Sequence, residues 1–341
     1  AQKYTEVELT QQNLNITGAH KINWGKDGIS YLRHNAALYD IPNKTLGFRA
    51  DVANSNSGIQ LKFSTNSNKI RLVFNKIPGR SKPASYGVFE NGKLVDEVKF
   101  TGKQDVHEIN IERCSKAKYS DFVVSLPSLA NVKLTELAAL SGSYVKPLNE
   151  NKSHYIALGD SITHGVGQDF STHLTYPYLL SNALDMQLTN LAVGGSRLSL
   201  KLFDTLDEYP EAKVITLLIG FNDWNQKSFQ LNDFINKYKQ GLLTILHKQP
   251  KADVVVITPL YTKKAQANHT KTKLNTIRQA IEKLVAEIKG NGFNKLHLVK
   301  GEEVSSAKNL RKRFPNDPVH LGVEGAALLS KELEKIIKLS L

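Results

Sequence analysis

The chain has 341 residues, 40% of them hydrophobic and 23% charged, which is enough for two packed domains and ordinary for a globular protein. No run approaches the ~20 consecutive apolar residues of a membrane helix, and a single cysteine, Cys114, excludes an internal disulfide or a thiolate zinc cluster. A formal charge of +13 invites a nucleic-acid hypothesis, but the lysines are scattered through both halves without a helix-turn-helix, zinc-finger or RNP-type signature, so no nucleic-acid partner is expected. The chain begins at Ala1 without an initiator Met, and the expectation is an exported mature protein that is secreted, periplasmic or held at the cell surface.

Up to about residue 147 the apolar residues alternate. Ile59, Leu61 and Phe63 do so, then Ile70, Leu72 and Phe74, then His107, Ile109 and Ile111, then Val132 and Leu134. Period two means half-buried antiparallel strands. Between Tyr86-Gly87-Val88-Phe89 and Leu94-Val95 stands Asn91-Gly92, the strongest short hairpin signal. Cys114 lies in a polar stretch with no motif around it and reads as a bystander thiol. Several short strands with turns between them predict an all-β sandwich, jelly-roll-like, with no helix of convincing length.

Ser141-Gly142-Ser143-Tyr144-Val145-Lys146-Pro147 reads as a linker, which divides the chain into a β-sandwich over 1–147 and an α/β domain over 148–341. In the second part short β-branched runs predict strands at Tyr155–Leu158, Gln187–Ala192, Val214–Gly220, Asp253–Pro259 and Leu296–Val299. Between them lie amphipathic stretches, clearest at Leu274, Ile277, Ile281, Leu284, Val285 and Ile288, and a last helix is expected from about Gly322 to Leu339. Five βα units make a parallel sheet with helices on both faces, whose ligands bind beyond the carboxyl ends of the strands.

Four polar segments fall at that edge. Gly159-Asp160-Ser161 follows the first strand and brings a serine hydroxyl to a helix start, where Asp and Ser also serve as plain capping residues. Asn190-Leu191-Ala192-Val193-Gly194-Gly195-Ser196 follows the second strand, and its adjacent glycines turn tightly and leave a backbone N–H exposed. Gly220-Phe221-Asn222-Asp223-Trp224 follows the third and supplies a side-chain amide. Asn316-Asp317-Pro318-Val319-His320 precedes the last helix, with a carboxylate three residues from an imidazole. Each has a structural reading as a loop or cap; four at one edge point to a site.

In this order and spacing the segments resemble the signature blocks of the SGNH hydrolases, the GDSL esterase/lipase superfamily, over roughly Lys152 to Leu341. Where that pattern usually has Leu after the serine, this chain has Ile162. The resemblance implies a flavodoxin-like three-layer α/β/α hydrolase domain. It also implies Ser161 as nucleophile, His320 as base and Asp317 as the residue orienting it. The oxyanion would be held by the N–H groups of Ser161 and Gly195 and the amide of Asn222, with Gly194 one residue from the expected position. No metal or other cofactor is implied. Within the superfamily the sandwich, the lack of a long apolar lid, and two local features favour a polysaccharide O-acetyl esterase acting on an acylated carbohydrate or other small ester. Trp224 could offer its ring to a sugar, and Arg311 and Arg313 of the Arg311-Lys312-Arg313 cluster could meet a uronate carboxylate; packing and solvated-surface readings stand beside these. The alternatives are a lipase- or thioesterase-type acyl hydrolase and a carbohydrate-binding protein. The sequence leaves oligomeric state and sugar open.

Overall fold

The computed structural model describes residues 2–78, 81–264 and 266–341. The chain divides into two compact units. One holds the residues up to His34 with Asn54–Lys152 and Asp169–His173; the other holds Asn35–Ala53, Ser153–Gln168 and Leu174–Leu341.

Among the described residues the first unit has two antiparallel sheets of six strands each. One runs Lys21–Gly25, Gly28–Leu32, Val132–Leu140, Lys69–Lys76, Val106–Glu112, with Tyr4–Glu6 also paired to Val132–Leu140. The other runs Val145–Pro147, Gln60–Thr65, Ser120–Ser125, Ala84–Glu90, Lys93–Phe100, with Asn15–Thr17 paired to Gln60–Thr65. In Val106–Glu112 the residues His107, Ile109 and Ile111 are buried while their neighbours are exposed, as period two dictates. The inward rows of the two sheets form one core, in which Phe74 of one sheet meets Tyr86 of the other with ring centroids 4.8 Å apart. Asn91 and Gly92 both have positive φ, 49° and 85°, the geometry of a two-residue type I′ hairpin turn.

The second unit is a flavodoxin-like α/β/α domain. Its strands β1 (Ser153–Gly159), β2 (Met186–Asn190), β3 (Ala212–Leu218), β4 (Asp253–Ile257) and β5 (Leu296–Val299) lie parallel in the order β2-β1-β3-β4-β5. β2 adds to one side of β1 and β3 to the other, so the order reverses beside β1 and opens a crevice past its carboxyl end. Helices α1 (Tyr176–Ala183), α2 (Leu231–Lys248), α3 (Leu274–Gly290) and α4 (Val323–Ser340) cover the sheet, with α1 packed on α4 and α2 on α3. The six apolar residues of α3 picked out by their spacing are all at most 5% exposed. Each is worth roughly 1.5–3 kcal/mol on burial, so this face alone anchors the helix.

Residues 35–53 carry a 3-10 turn, Ala36–Asp40, and two helical turns, Asn43–Leu46 and Ala50–Ala53. Their Leu38, Leu46, Phe48 and Ala53 belong to the core of the second unit. Turns of four or five residues are too short to display a 3.6-residue period, which is why alternation gave no sign of them. Among the described residues no helix is long and apolar enough to cross a membrane.

Candidate active site

The site is built at the end of β1. A Cβ on Gly159 would stand 2.8 Å from Leu218 O and collide with the Thr163 side chain, so only glycine lets the chain leave β1 beside β3 and fold straight back. Asp160 caps the four-residue helix Ser161–His164, its Oδ1 accepting the Ile162 N–H at 3.0 Å. Burial, with the charge of Asp223 adding to it against the Ile162 N–H, pushes the Asp160 carboxyl up to about 7. Asn190, at the end of β2, donates from Nδ2 to Thr163 O at 2.9 Å and accepts the Ala192 N–H on Oδ1 at 3.0 Å, which ties the second strand to the serine turn.

Ser161 Oγ lies 2.8 Å from His320 Nε2, and His320 Nδ1 lies 2.9 Å from Asp317 Oδ2. The other carboxylate oxygen, Oδ1, accepts the backbone N–H groups of Val319 at 2.9 Å and His320 at 3.1 Å. Partial burial raises the Asp317 carboxyl, but those two N–H groups and the neighbouring imidazole outweigh it and hold it at about 2. The loop that carries both residues is closed at its base, where Arg311 N–H donates to His320 O at 3.0 Å and Leu310 bridges Leu321. Pro318 O is held from a second side by Thr262 Oγ1 at 2.8 Å and Lys263 N–H at 3.0 Å. Ser161 and the distant Asp317–His320 pair therefore form one line of hydroxyl, imidazole and carboxylate, an arrangement able to turn a serine hydroxyl into a nucleophile.

The residues expected to supply oxyanion donors, Gly195 and Asn222, lie on the next two loops. Gly194 donates its N–H to His164 Nδ1 at 3.0 Å, so that donor is committed, while Gly195 is exposed at φ 77° with open space around its Cβ direction. A Cβ on Gly194 would lie 3.8 Å from Ser161 Cβ, which brings this loop alongside the serine. Asn222 donates one amide hydrogen to Ser196 O at 2.9 Å, fixing the plane of the amide and leaving the second hydrogen uncommitted. Asp223 accepts the Leu198 N–H on its two oxygens at 3.1 and 3.2 Å, which locks the two loops together.

One expected substrate contact, Trp224, is corrected. Trp224 is 0% exposed, packs in the core against Phe221 and donates from Nε1 to Thr272 O at 2.6 Å, so its ring offers no face to a sugar. Arg311 Nε donates to Asp317 Oδ2 at 2.6 Å and its guanidinium lies 4.1 Å from the centroid of the Phe314 ring, while the side chain stays partly exposed and borders the same open cleft as Arg313. Arg313 is exposed and lines an open cleft of about 460 Å³ with Phe314, Asn316 and His320. Sequence reading missed two partners, His164 as acceptor for Gly194 and Arg311 as donor to Asp317. The position of His164 three residues after Ser161, one helical turn on, was the available signal for the first; nothing in the sequence marked the second.

A family model described as GDSL-like Lipase/Acylhydrolase family matches residues 157–328, half of the chain and the whole span from β1 into α4. An uncharacterized protein of Mycoplasma pneumoniae is 32% identical over 122 residues, a match that takes in 32% of this chain and 14% of the length of that protein. Among solved structures, a salicylyl-acyltransferase from a tetracycline biosynthetic pathway superposes with a TM-score of 0.85 at 20% identity, over 99% of this chain and 97% of that one. A putative GDSL-like lipase of Bacteroides ovatus gives 0.76 at 15% identity over 100% and 98%. A family two carbohydrate esterase of Clostridium thermocellum, solved with cellohexaose, gives 0.66 at 12% identity over 95% and 98%. At these identities the likenesses speak for the fold, and the family rests on the matched blocks. The chain, with its Ser161 turn, its Asn190 and Asn222 loops and its Asp317–His320 loop all inside or spanning the matched region, belongs to the GDSL-like lipase/acylhydrolase family.

Proposed function

We propose that the protein is a serine ester hydrolase that removes O-acetyl groups from a polysaccharide or oligosaccharide. Ser161 Oγ attacks the ester carbonyl carbon as His320 Nε2 takes its proton. The tetrahedral intermediate then expels the sugar oxygen, which leaves with the proton from His320, and an acetyl-Ser161 ester remains. Water repeats the sequence, releasing acetate and free Ser161. Asp317 keeps the imidazole in the tautomer with Nδ1–H, and the N–H groups of Ser161 and Gly195 with the Asn222 amide receive the oxyanion. The observation that carries this reading is the unbroken line from Ser161 Oγ through His320 to Asp317, at 2.8 and 2.9 Å.

The direct chain neighbours of Ser161, Asn222 and His320, namely Ile162, Phe221 and Val319, line a small pocket together with Leu218 and Leu260. Its free space is about 10 Å³, the lower limit for a single water molecule. Support for a carbohydrate comes from the shared two-part architecture with the Clostridium thermocellum esterase and from exposed Arg313 beside His320, whose guanidinium suits a uronate carboxylate. The test is turnover of p-nitrophenyl acetate against p-nitrophenyl octanoate, with acetate release from a panel of acetylated polysaccharides. Preference for acetyl and loss of all turnover in Ser161→Ala are expected. Faster octanoyl hydrolysis would move the assignment to a lipase-type acyl hydrolase, and activity surviving in Ser161→Ala would falsify the nucleophile.

A further inference from the structure

The three basic residues of the Arg311-Lys312-Arg313 run do different things. Lys312 is 85% exposed at its side chain and sits 3.8 Å from an equally exposed Glu324, and Arg313 lines the open cleft. Arg311 borders the same cleft, but of the three it alone is bonded to Asp317, and its position is fixed from several sides. Its backbone N–H pairs with His320 O at 3.0 Å, its guanidinium lies over Phe314, and Gly322 and Gly167 leave space where a Cβ would come within 3.2 Å of its Cα and 3.4 Å of its Cδ.

The oxygen that Arg311 Nε meets at 2.6 Å is Asp317 Oδ2, the same one that receives His320 Nδ1. With the Val319 and His320 N–H groups on Oδ1, the carboxylate has four donors, and its charge is matched by a guanidinium standing behind the imidazole. Both bonds end on one oxygen, so Arg311 Nε lies no farther from Nδ1 than the two bond lengths combined, inside the ~4–6 Å over which one positive charge opposes the formation of another. An unaccompanied carboxylate would favour proton uptake by His320 at every pH. A carboxylate already shared with Arg311 keeps the orienting hydrogen bond and gives up part of that pull.

We infer that Arg311 is a positioning and charge-setting residue, which balances the Asp317 carboxylate behind His320 so that the base stays proton-free, and the enzyme active, at lower pH than a Ser-His-Asp line without it. This rests on the serine-hydrolase reading above. Among the described residues the groups around His320 are Asp317 and Arg311 on its own loop, Ser161 from the turn after β1, and Arg313, which lines the same cleft. Lys263 reaches the loop through its backbone N–H to Pro318 O, and Tyr261 shares the small pocket with Val319.

The test is the pH dependence of kcat/KM on p-nitrophenyl acetate in Arg311→Gln, which keeps a donor and removes the charge, and in Arg311→Lys, which keeps the charge. The acid limb is expected to move up by about one pH unit in Arg311→Gln, roughly a tenfold loss of activity on the acid side with the high-pH plateau held within a few-fold, and to stay in place in Arg311→Lys. An unmoved limb in Arg311→Gln, or equal shifts in the two variants, overturns the inference and leaves Arg311 a structural brace. If Arg311→Gln does not fold, Arg311→Met is the second neutral replacement, and the same limb is read from the pH dependence of Ser161 phosphorylation by diisopropyl fluorophosphate, with fluoride as the leaving group. Ser161→Ala run alongside separates the two levels: surviving activity there overturns the mechanism, whereas an inactive Ser161→Ala with an unmoved limb in Arg311→Gln overturns the role of Arg311 alone.

Discussion

In the proposed mechanism Asn222 is the side chain readied for a charge that exists only during reaction. Its amide is held by Ser196 O at 2.9 Å, so the second hydrogen needs no reorientation when the oxyanion forms. Asn222→Ala is expected to lower kcat by about 10²–10³-fold while KM changes little; steady-state kinetics on p-nitrophenyl acetate decide, and a loss confined to KM would make Asn222 a ground-state contact. Trp224, two residues on, belongs to stability instead. Trp224→Phe keeps an aromatic ring in the core but strands Thr272 O, and should cost about 1–3 kcal/mol in urea unfolding with KM on acetylated polysaccharide unchanged. A raised KM without loss of stability would return the ring to the substrate. The contrast explains what could be read from the sequence. Ser161, Asn222, Asp317 and His320 are legible because each chemistry admits few residue types at a fixed place on the sheet edge. The inward direction of Trp224 and the bond from Arg311 to Asp317 are not, because a four-residue helix and an irregular loop have no period from which to read either.

The turn after β1 shows the same physics at the level of an element. Asp160 and Asp223 are buried carboxyls pushed up to about 7 and about 6, burial being the larger cause in both. In the unfolded chain each ionises near ~3.9, so the folded protein binds more protons between that pH and about 7. The stability they contribute is therefore full below about pH 4 and is lost as pH rises through 6 to 7. Asp317, held at about 2, works the other way: its contribution is full above about pH 4 and is lost as pH falls towards 2. The unfolding free energy should consequently decline from pH 5 to pH 8, and Asp160→Asn, whose amide oxygen can still cap Ile162 N–H, should reduce that decline by an amount on the order of a few kcal/mol, read from urea unfolding at each pH. An undiminished slope in Asp160→Asn would show that this carboxyl is not the one titrating. Hairpin, strands and α3 were plain in the sequence since period and turn chemistry agree there. The proton balance of Asp160 was not, because it depends on Asp223, which β3 and its loop bring close only after folding.

On the scale of the molecule, each unit contains a segment drawn from the other's stretch of sequence, and this limits where the chain can be cut. Asp169–His173 belongs to the first unit, where His173 Nε2 lies 2.7 Å from Glu97 Oε2 and Thr172 Oγ1 accepts the Gly58 N–H at 3.2 Å. In return Asn35–Ala53 belongs to the second, burying Leu38, Leu46 and Phe48 to 6%, 0% and 2% exposure. Gly47 O accepts the Arg197 N–H at 2.8 Å, and Arg197 Nη2 donates to Asn43 O at 3.0 Å, so the same segment braces the loop that presents Gly195. A chain begun at Leu148, where the linker composition invites a cut, loses all of this. At ~1.5–3 kcal/mol for each of three large side chains the lost burial is about 5–9 kcal/mol, comparable with the whole ~5–15 kcal/mol that holds a typical domain folded. Residues 148–341 alone are therefore expected to lack a cooperative thermal transition, and joining 35–53 to them through a flexible linker should restore the transition before it restores full kcat. A sharp transition and undiminished turnover from 148–341 alone would mean that Leu38, Leu46 and Phe48 cover a core that closes without them.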